Sequence, residues 1–188
     1  MISTSTRARM SGKLLAPLNP DAAFYANGNP RIVSIYAYWN ERRGDRPMPR
    51  REDIDPVDLT EHLPGIILID VEGEDARGAT IFRYRVVGTR EVANRHRDPT
   101  GERVEIGYFA ESAEAALLSY ESVRMQKAAI FEPISFVSDG GVRIEEDSIL
   151  LPLSENGGDV SQILVYSESL HDEGAIPLRP YTTGSRTV

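Results

Sequence analysis

The stretch AIFEPISFVSDGGVRIEEDSILLPLSENGGDVSQILVYSES, residues 129–169, decides the fold. It holds three apolar-rich segments, AIFEPISFV, VRIEEDSILLPL and SQILVYSES, separated by SDGG and SENGGD. Gly, Asn and Asp crowded into so short a space supply the backbone angles that tight hairpins need, so the three segments read as an antiparallel meander. Upstream, GIILIDVE (65–72) is apolar at odd and even positions alike, as a strand covered on both faces must be. ATIFRYRVVG (79–88) instead alternates Phe82, Tyr84 and Val86 with Arg83 and Arg85, the period of a half-buried strand. Between this pair and the meander comes a helical excursion: TREVANRHRDPTGERVEIGYF, then a helix from Ser112 to about Ala128 with Ala116, Leu117, Tyr120 and Val123 on one side. Two strands, helices and three more strands predict an α+β domain, one antiparallel sheet with helices on one face.

Ahead of the sheet, Asn29 and Pro30 open a helix, RIVSIYAYWNERRG, that Gly44 stops. Ile32, Ile35, Tyr36 and Trp39 fall at i, i+3, i+4 and i+7 and form one apolar stripe. That stripe must bury against the domain, another chain, or both. DPVDLTEHLP (55–64) reads as a short helix, with Asp55 as cap and Pro64 as stop. The expected organisation is a flexible arm over 1–28, a flanking helix and Pro/Arg/Asp connector over 29–64, a core over 65–169 and an irregular tail over 170–188.

The 188 residues carry 29 acids against 21 bases, a net charge of −8 that opposes binding to a phosphate backbone. The connector arginines are interleaved with Glu41, Asp45, Glu52 and Asp53, which points to pairing within the chain. With no cysteine, disulfides, zinc–thiolate sites and cysteine nucleophiles are excluded. No apolar run is long enough to span a bilayer, and MISTSTRARMSGK lacks the apolar segment of a secretory signal, so a cytoplasmic location is expected.

Three passages carry a resemblance: YWNERRGDRPMPRREDIDPVDLTEHLPGIILIDVE (38–72), FRYRVVGTREVANRHRDPTG (82–101) and LLPLSENGGDVSQIL (150–164). Over residues 31–169 the chain resembles the PAS domain, and within it a bacterial, chiefly alphaproteobacterial, group of mostly stand-alone PAS-like proteins. The resemblance implies strand order 2-1-5-4-3 and a pocket between the sheet and the helical excursion. It also implies a connector that fixes the N-terminal helix against the sheet, with Arg50 or Arg51 pairing to Asp53 or Asp55.

Enzymatic readings find little support. HRDPTGERV lacks the Asn that a kinase loop places five positions after its Asp, since Arg103 stands there. His62, His96 and His171 have no metal spacing, and no histidine lies on the 112–128 helix where a haem-binding PAS domain would carry its ligand. Light–oxygen–voltage photosensors and photoactive yellow proteins need a cysteine that this chain lacks. Glu145 and Glu146 are neighbours on a strand and point to opposite faces, poor partners for acid–base work.

The expected ligand wall comprises Phe82, Tyr84, Val86, Tyr120, Ile134, Phe136 and Tyr166, with Arg90 and Arg97 at its rim to meet a carboxylate or phosphate; His96 lies near that rim, within reach of a ligand, although capping or hydrogen-bonding a loop is its expected role. The expected function is a non-enzymatic sensory module with no resident cofactor, one that takes an unidentified small molecule or a protein partner. It would signal through the N-terminal helix to a separate protein and form a homodimer through Ile32, Ile35, Tyr36 and Trp39; neither nucleic acid nor membrane is an expected partner. Two alternatives stand beside it: a small cone-sheet enzyme of the ketosteroid-isomerase type, which a buried acid touching a tyrosine hydroxyl would favour, and a ligand-free structural adaptor.

Overall fold

A computed structural model describes residues 14–107, 113–137 and 143–169. Its five strands are β1 (Ile66–Glu74), β2 (Thr80–Val87), β3 (Ile130–Val137), β4 (Arg143–Leu153) and β5 (Gln162–Ser169). All neighbours are antiparallel, in the order β2-β1-β5-β4-β3. The meander of the sequence is therefore one half of the sheet, and β5 returns to the middle beside β1. That position explains why both strands are apolar on both faces: Ile66, Ile67, Leu68 and Ile69 are all buried, as are Ile163 to Tyr166.

Helices cover both faces. On one side lie α3 (Thr89–Arg95), α4 (Val104–Gly107) and α5 (Ala113–Gln126); on the other lie α1 (Ala22–Asn27) and α2 (Pro30–Arg43). The sheet alternates between them. Ile130 and Glu132 face α5, whereas Phe131 meets Phe24 of α1 edge-on, with ring centres 6.2 Å apart. Asn29 accepts from the Arg31 N–H at the start of α2, with Pro30 in its first turn, and Gly44 ends it at a positive φ.

The stripe on α2 is buried within its own chain: Ile32, Ile35, Tyr36 and Trp39 are 1–6% exposed. Trp39 Nε1 donates to the Pro152 carbonyl at 2.9 Å, which anchors the helix to β4. The homodimer contact expected for this stripe is corrected accordingly, because those four side chains already form the layer between α2 and the sheet. Residues 14–28, read as part of a flexible arm, are also packed. The Leu15 N–H donates to Ser122 Oγ at 3.0 Å, the Leu18 N–H donates to Ala129 O, and Leu15, Leu18 and Phe24 lie against the core. Residues 1–13 and 170–188, the remainder of the expected arm and the tail, lie outside the described residues.

The proline-rich connector straps α2 down. Met48, Ile54 and Leu59 are buried beneath it, and the Ser154 N–H donates to Pro49 O. Asp53 is the electrostatic hub: it accepts from the Arg50 N–H at 2.7 Å and pairs with Arg46 at 2.8 Å. Its partner is thus Arg46 rather than the Arg50 or Arg51 side chain, and Arg50 reaches Glu52 instead. Tyr38 of α2 donates to Asp58, and its hydroxyl accepts the Asp55 N–H at 2.9 Å. The helix expected over 55–64 is a run of turns closed by i to i−3 bonds, Asp58 to Asp55 and Leu59 to Pro56, then a short 3-10 turn at Leu63–Gly65. Asp55 caps Val57 as the sequence indicated, but Pro64 leaves too short a segment for the i to i−4 ladder to propagate.

Replacing Trp39 with Ala removes a buried indole and orphans no donor. Denaturant unfolding is expected to show a loss of about 3–5 kcal/mol, with the solution mass of the folded protein unchanged. A fall in mass with stability unchanged would place the tryptophan at an intermolecular contact instead.

Candidate functional site

The inner sheet face changes character along its length. One cross-strand row, Ile130, Leu150, Val165 and Ile67, is apolar. The next inward-facing row is Glu132, Ser148 and Ser167, and beyond it Glu146 lies opposite Ile134. Over the polar rows sit α3 and α5, leaving a cavity of about 100 Å³. This is room for several waters or a small ligand.

Its polar walls are partly self-satisfied. Ser148 and Ser167 share a hydrogen bond of 2.5 Å between hydroxyls, and Ser119 of α5 donates to Glu132 at 2.7 Å. On α3, Glu91 and Arg95 stand one turn apart and pair at 2.6 Å. Glu91 is 5% exposed, and its second oxygen, Oε1, has no hydrogen-bond partner among the described residues; Arg90 Nε stands 3.8 Å away as an ion pair. Glu146 is pushed up to about 7, first by burial and then by the charge of Glu91, against the weaker pull of Arg90 and Arg95. A buried carboxylate without a matching cation keeps its proton into the neutral range.

At the end of the cavity the sheet is incomplete. β1 begins at Ile66, opposite Tyr166, so Ser167 and Glu168 of β5 have β4 on one side and no β1 residue on the other. Arg90 fills the gap, donating through Nη2 to the Ser167 carbonyl and through Nη1 to Glu168 at 3.3 Å. Gly65 makes room, since a Cβ there would come within 2.0 Å of Arg90 Nη2. Glu168 faces the α2 side, where it accepts from the Tyr166 hydroxyl and lies 3.9 Å from Arg31 of α2.

Of the residues expected at the site, Tyr120 lines the cavity, and so does Ile134. Phe82 and Tyr84 are buried on the same sheet face, Phe82 against Tyr120 with ring centres 5.5 Å apart, but belong to the core beside the cavity. Val86 turns outward and is 48% exposed, because the register slips between Leu68 and Ile69 and Arg85 has no partner. Tyr166 lies on the opposite face, against His62. Arg90 bridges strand end and helix rather than waiting at the rim. His96 is exposed as the left-handed cap of α3, and exposed Arg97 pairs with Glu102 at 2.5 Å. Phe136 is in β3, with its side chain outside the described residues. The polar lining of Glu91, Arg95, Glu132, Glu146, Ser148 and Ser167 was not anticipated. Among the described residues no group of His, Cys, Asp or Glu is arranged to hold a metal ion, and no helix is long and apolar enough to cross a membrane.

An antiparallel sheet of order 2-1-5-4-3 with a helical excursion enclosing an inner cavity defines a PAS-type sensory fold. A family model described as "PAS domain" matches residues 29–166, and the chain belongs to that family. Among solved structures the chain is similar to the Rhodobacter sphaeroides LOV protein, at 9% identity and a TM-score of 0.43 over 58% of this chain. The chain spans 61% of that protein's length. The photo-excited blue-light photoreceptor Vivid matches at 14% identity and a TM-score of 0.43, over 71% of this chain and 93% of its own. The PAS domain of an HTR-like protein from Haloarcula marismortui matches at 15% identity and a TM-score of 0.37, over 61% and 92%. No curated protein matches the chain.

Because the folded carboxyl of Glu146 holds its proton more tightly than the unfolded one, its contribution to stability is present below pH about 4.5 and lost as pH rises toward 7. Glu146→Gln is expected to be neutral for stability at about pH 5 and to stabilise by up to about 3 kcal/mol at about pH 8. Thermal unfolding at the two pH values measures it; a variant destabilised equally at both would contradict the assigned environment.

Proposed function

We propose that this chain is a non-enzymatic sensory module in which the state of the inner cavity is transmitted to α2 through Arg90. The carrying observation is one continuous set of charges. Glu91 on the cavity wall lies beside Arg90, Arg90 holds the free end of β5 and Glu168, and Glu168 lies beside Arg31 on α2. Changing the charge balance in the cavity alters the attraction on Arg90, and any movement of Arg90 releases or tightens the β5 end under the first turn of α2. The two carboxylates are buried, whereas Arg90 is about one-third and Arg31 about one-half exposed, so the response is strongest where Arg90 meets Glu91 and Glu168 and is more screened at Arg31. The output surface is the solvent side of α2, where Ser34, Ala37 and Glu41 are exposed, together with the strap it clasps. A separate protein reads that surface. Association with a second copy would use it too, or another exposed face, because the apolar stripe is occupied.

The enzyme alternative required a buried acid touching a tyrosine hydroxyl. Tyr166 and Glu168 make that contact, but on the sheet face away from the cavity, with Glu168 held between Arg90 and Arg31. A carboxylate so engaged is a structural anchor rather than a base with access to substrate.

Arg31 and Glu146 sit on opposite faces of the sheet. Independent sites add within about 0.5 kcal/mol, whereas members of one network couple by more. Urea unfolding of Arg31→Ala, Glu146→Gln and the double variant at about pH 8 is expected to give a coupling energy of about 1 kcal/mol. That coupling should disappear when Arg90 is changed to Gln, and also in Gly65→Ala, which displaces the guanidinium without removing its charge. Additive effects in the parent protein would contradict transmission through Arg90.

A further inference from the structure

We infer that residues 14–27 form a detachable arm that ties α5 to α2 around the β3 end of the sheet, a coupling between the two helical layers that does not pass through Arg90. It goes beyond the reading above and stands without it. The arm begins as LLAPLNP (14–20). Pro17 and Pro20 have a fixed φ and no N–H to donate. The Leu15 and Leu18 N–H groups, also three apart, both donate inward, to Ser122 Oγ at 3.0 Å and to Ala129 O at 2.7 Å. A repeat of three is that of the extended polyproline turn, which keeps the two donors on one side and stiffens the segment between them.

The inner end is gripped by α5. Ser122 and Gln126 stand one turn apart on that helix and take both backbone polar groups of Leu15: Ser122 Oγ accepts its N–H, and Gln126 Nε2 donates to its carbonyl at 2.6 Å. Both side chains are tied to the helix itself, Ser122 donating to Leu118 O at 2.7 Å and Gln126 to Ser122 O at 3.2 Å, so the grip moves with α5. Ala116, Ser119 and Tyr120 of the same helix line the inner cavity. The outer end is aromatic. Phe24 of α1 meets Tyr36 of α2 and Phe131 of β3 edge-on, with ring centres 5.5 and 6.2 Å apart. Little slack separates α1 from α2, since the Gly28 N–H donates to Phe24 O at 3.1 Å and a Cβ on Gly28 would lie 2.5 Å from that oxygen. A shift of α5 therefore has a packed and covalent route to the buried stripe of α2.

The arm is held lightly enough to detach. No residue from 14 to 27 is fully buried; Leu15, Leu18 and Phe24 are partly covered and lie against the core. A few hydrogen bonds, two leucines and the α1 aromatics fasten it, and segments so held open locally well below the free energy of global unfolding. The stiff segment makes its two ends act together: losing the grip on Leu15 loosens Phe24, and the reverse.

The test is residue-resolved hydrogen exchange of the full-length protein, read at the Leu15, Leu18 and Tyr36 amides, with the β1 amides as the measure of global stability. Leu15 and Leu18 are expected to exchange through one opening, at the same free energy and far faster than β1. Ser122→Ala removes the acceptor of Leu15 alone. Exchange at Leu18 is nonetheless expected to rise about fivefold, the weight of one net hydrogen bond, and exchange at Tyr36 to rise with it, while β1 is unchanged. Phe24→Leu, which loosens the outer end and keeps an apolar side chain, should raise exchange at Leu15 likewise. Both effects should persist when Arg90 is changed to Gln. Leu18 unmoved by Ser122→Ala, Leu15 unmoved by Phe24→Leu, or exchange of both amides only at the rate of β1 would each overturn the inference. So would an equal loss of protection in β1, or an effect at Tyr36 that vanishes with Arg90→Gln.

Discussion

Past Tyr166 the fifth strand loses its neighbour, and the guanidinium of Arg90 stands where the next stretch of backbone would be. A β5 carbonyl facing that gap would otherwise be a buried acceptor without a donor, which costs about as much as a lost hydrogen bond. The chain cannot supply the donor from β1, because the turn at Leu63–Gly65 carries it away. It supplies it from the first turn of α3 instead, and so fastens the helical layer to the sheet at one end. The same side chain touches Glu168, whose carboxylate belongs to the other face. Through the sheet itself, one arginine is thus the place where two otherwise separate layers meet.

The remaining architecture makes that meeting point consequential. Each face of the sheet is closed by its own set of helices, and the two sets communicate poorly through a rigid, close-packed sheet. On the outer face, α2 is held by apolar packing, by Trp39 on Pro152 O and by the strap whose Asp53 unites Arg46 with the Arg50 N–H. These bonds set the angle of α2 and leave its N-terminal turn, where Arg31 lies, in contact with the β5 end. On the inner face, carboxylates take positions that a purely structural core would fill with aliphatic groups. Their cost is offset only in part by Arg95, Ser119 and a protonated Glu146, and that residual imbalance is what a ligand or a proton can relieve.

Much of the fold is legible in the sequence, and the reasons are local. The strand limits agree with the structure to within a residue or two because alternation and Gly/Asn/Asp turns mark both ends. The buried stripe on α2 is equally plain, but periodicity says that a face is covered and not by what, so the sequence leaves the domain and a second chain both open as its partner. The site was far less legible. Val86 escaped because a bulge at Arg85 breaks the period of two without any change in composition. Tyr166 could not be assigned to a face, since a strand buried on both sides shows no alternation. Glu91 and Glu146 point inward where the pattern allots charge to solvent, and only the packing of α3 over β4 reveals them. Arg90 was singled out as a candidate, yet its role depends on where β1 starts, a fact of register rather than of residue type.

The account stands or falls on whether α2 senses the cavity. Backbone hydrogen exchange of residues 30–43, corrected for intrinsic rates and followed from about pH 6 to about pH 8, measures this without a ligand. Ionisation of Glu146 should change the protection of the first turns of α2 with a midpoint near 7, in step with α3, while the protection of β1 stays constant. Protection of α2 that is flat across this range while α3 responds would mean that the cavity and the outer helix are independent, and the account would be wrong.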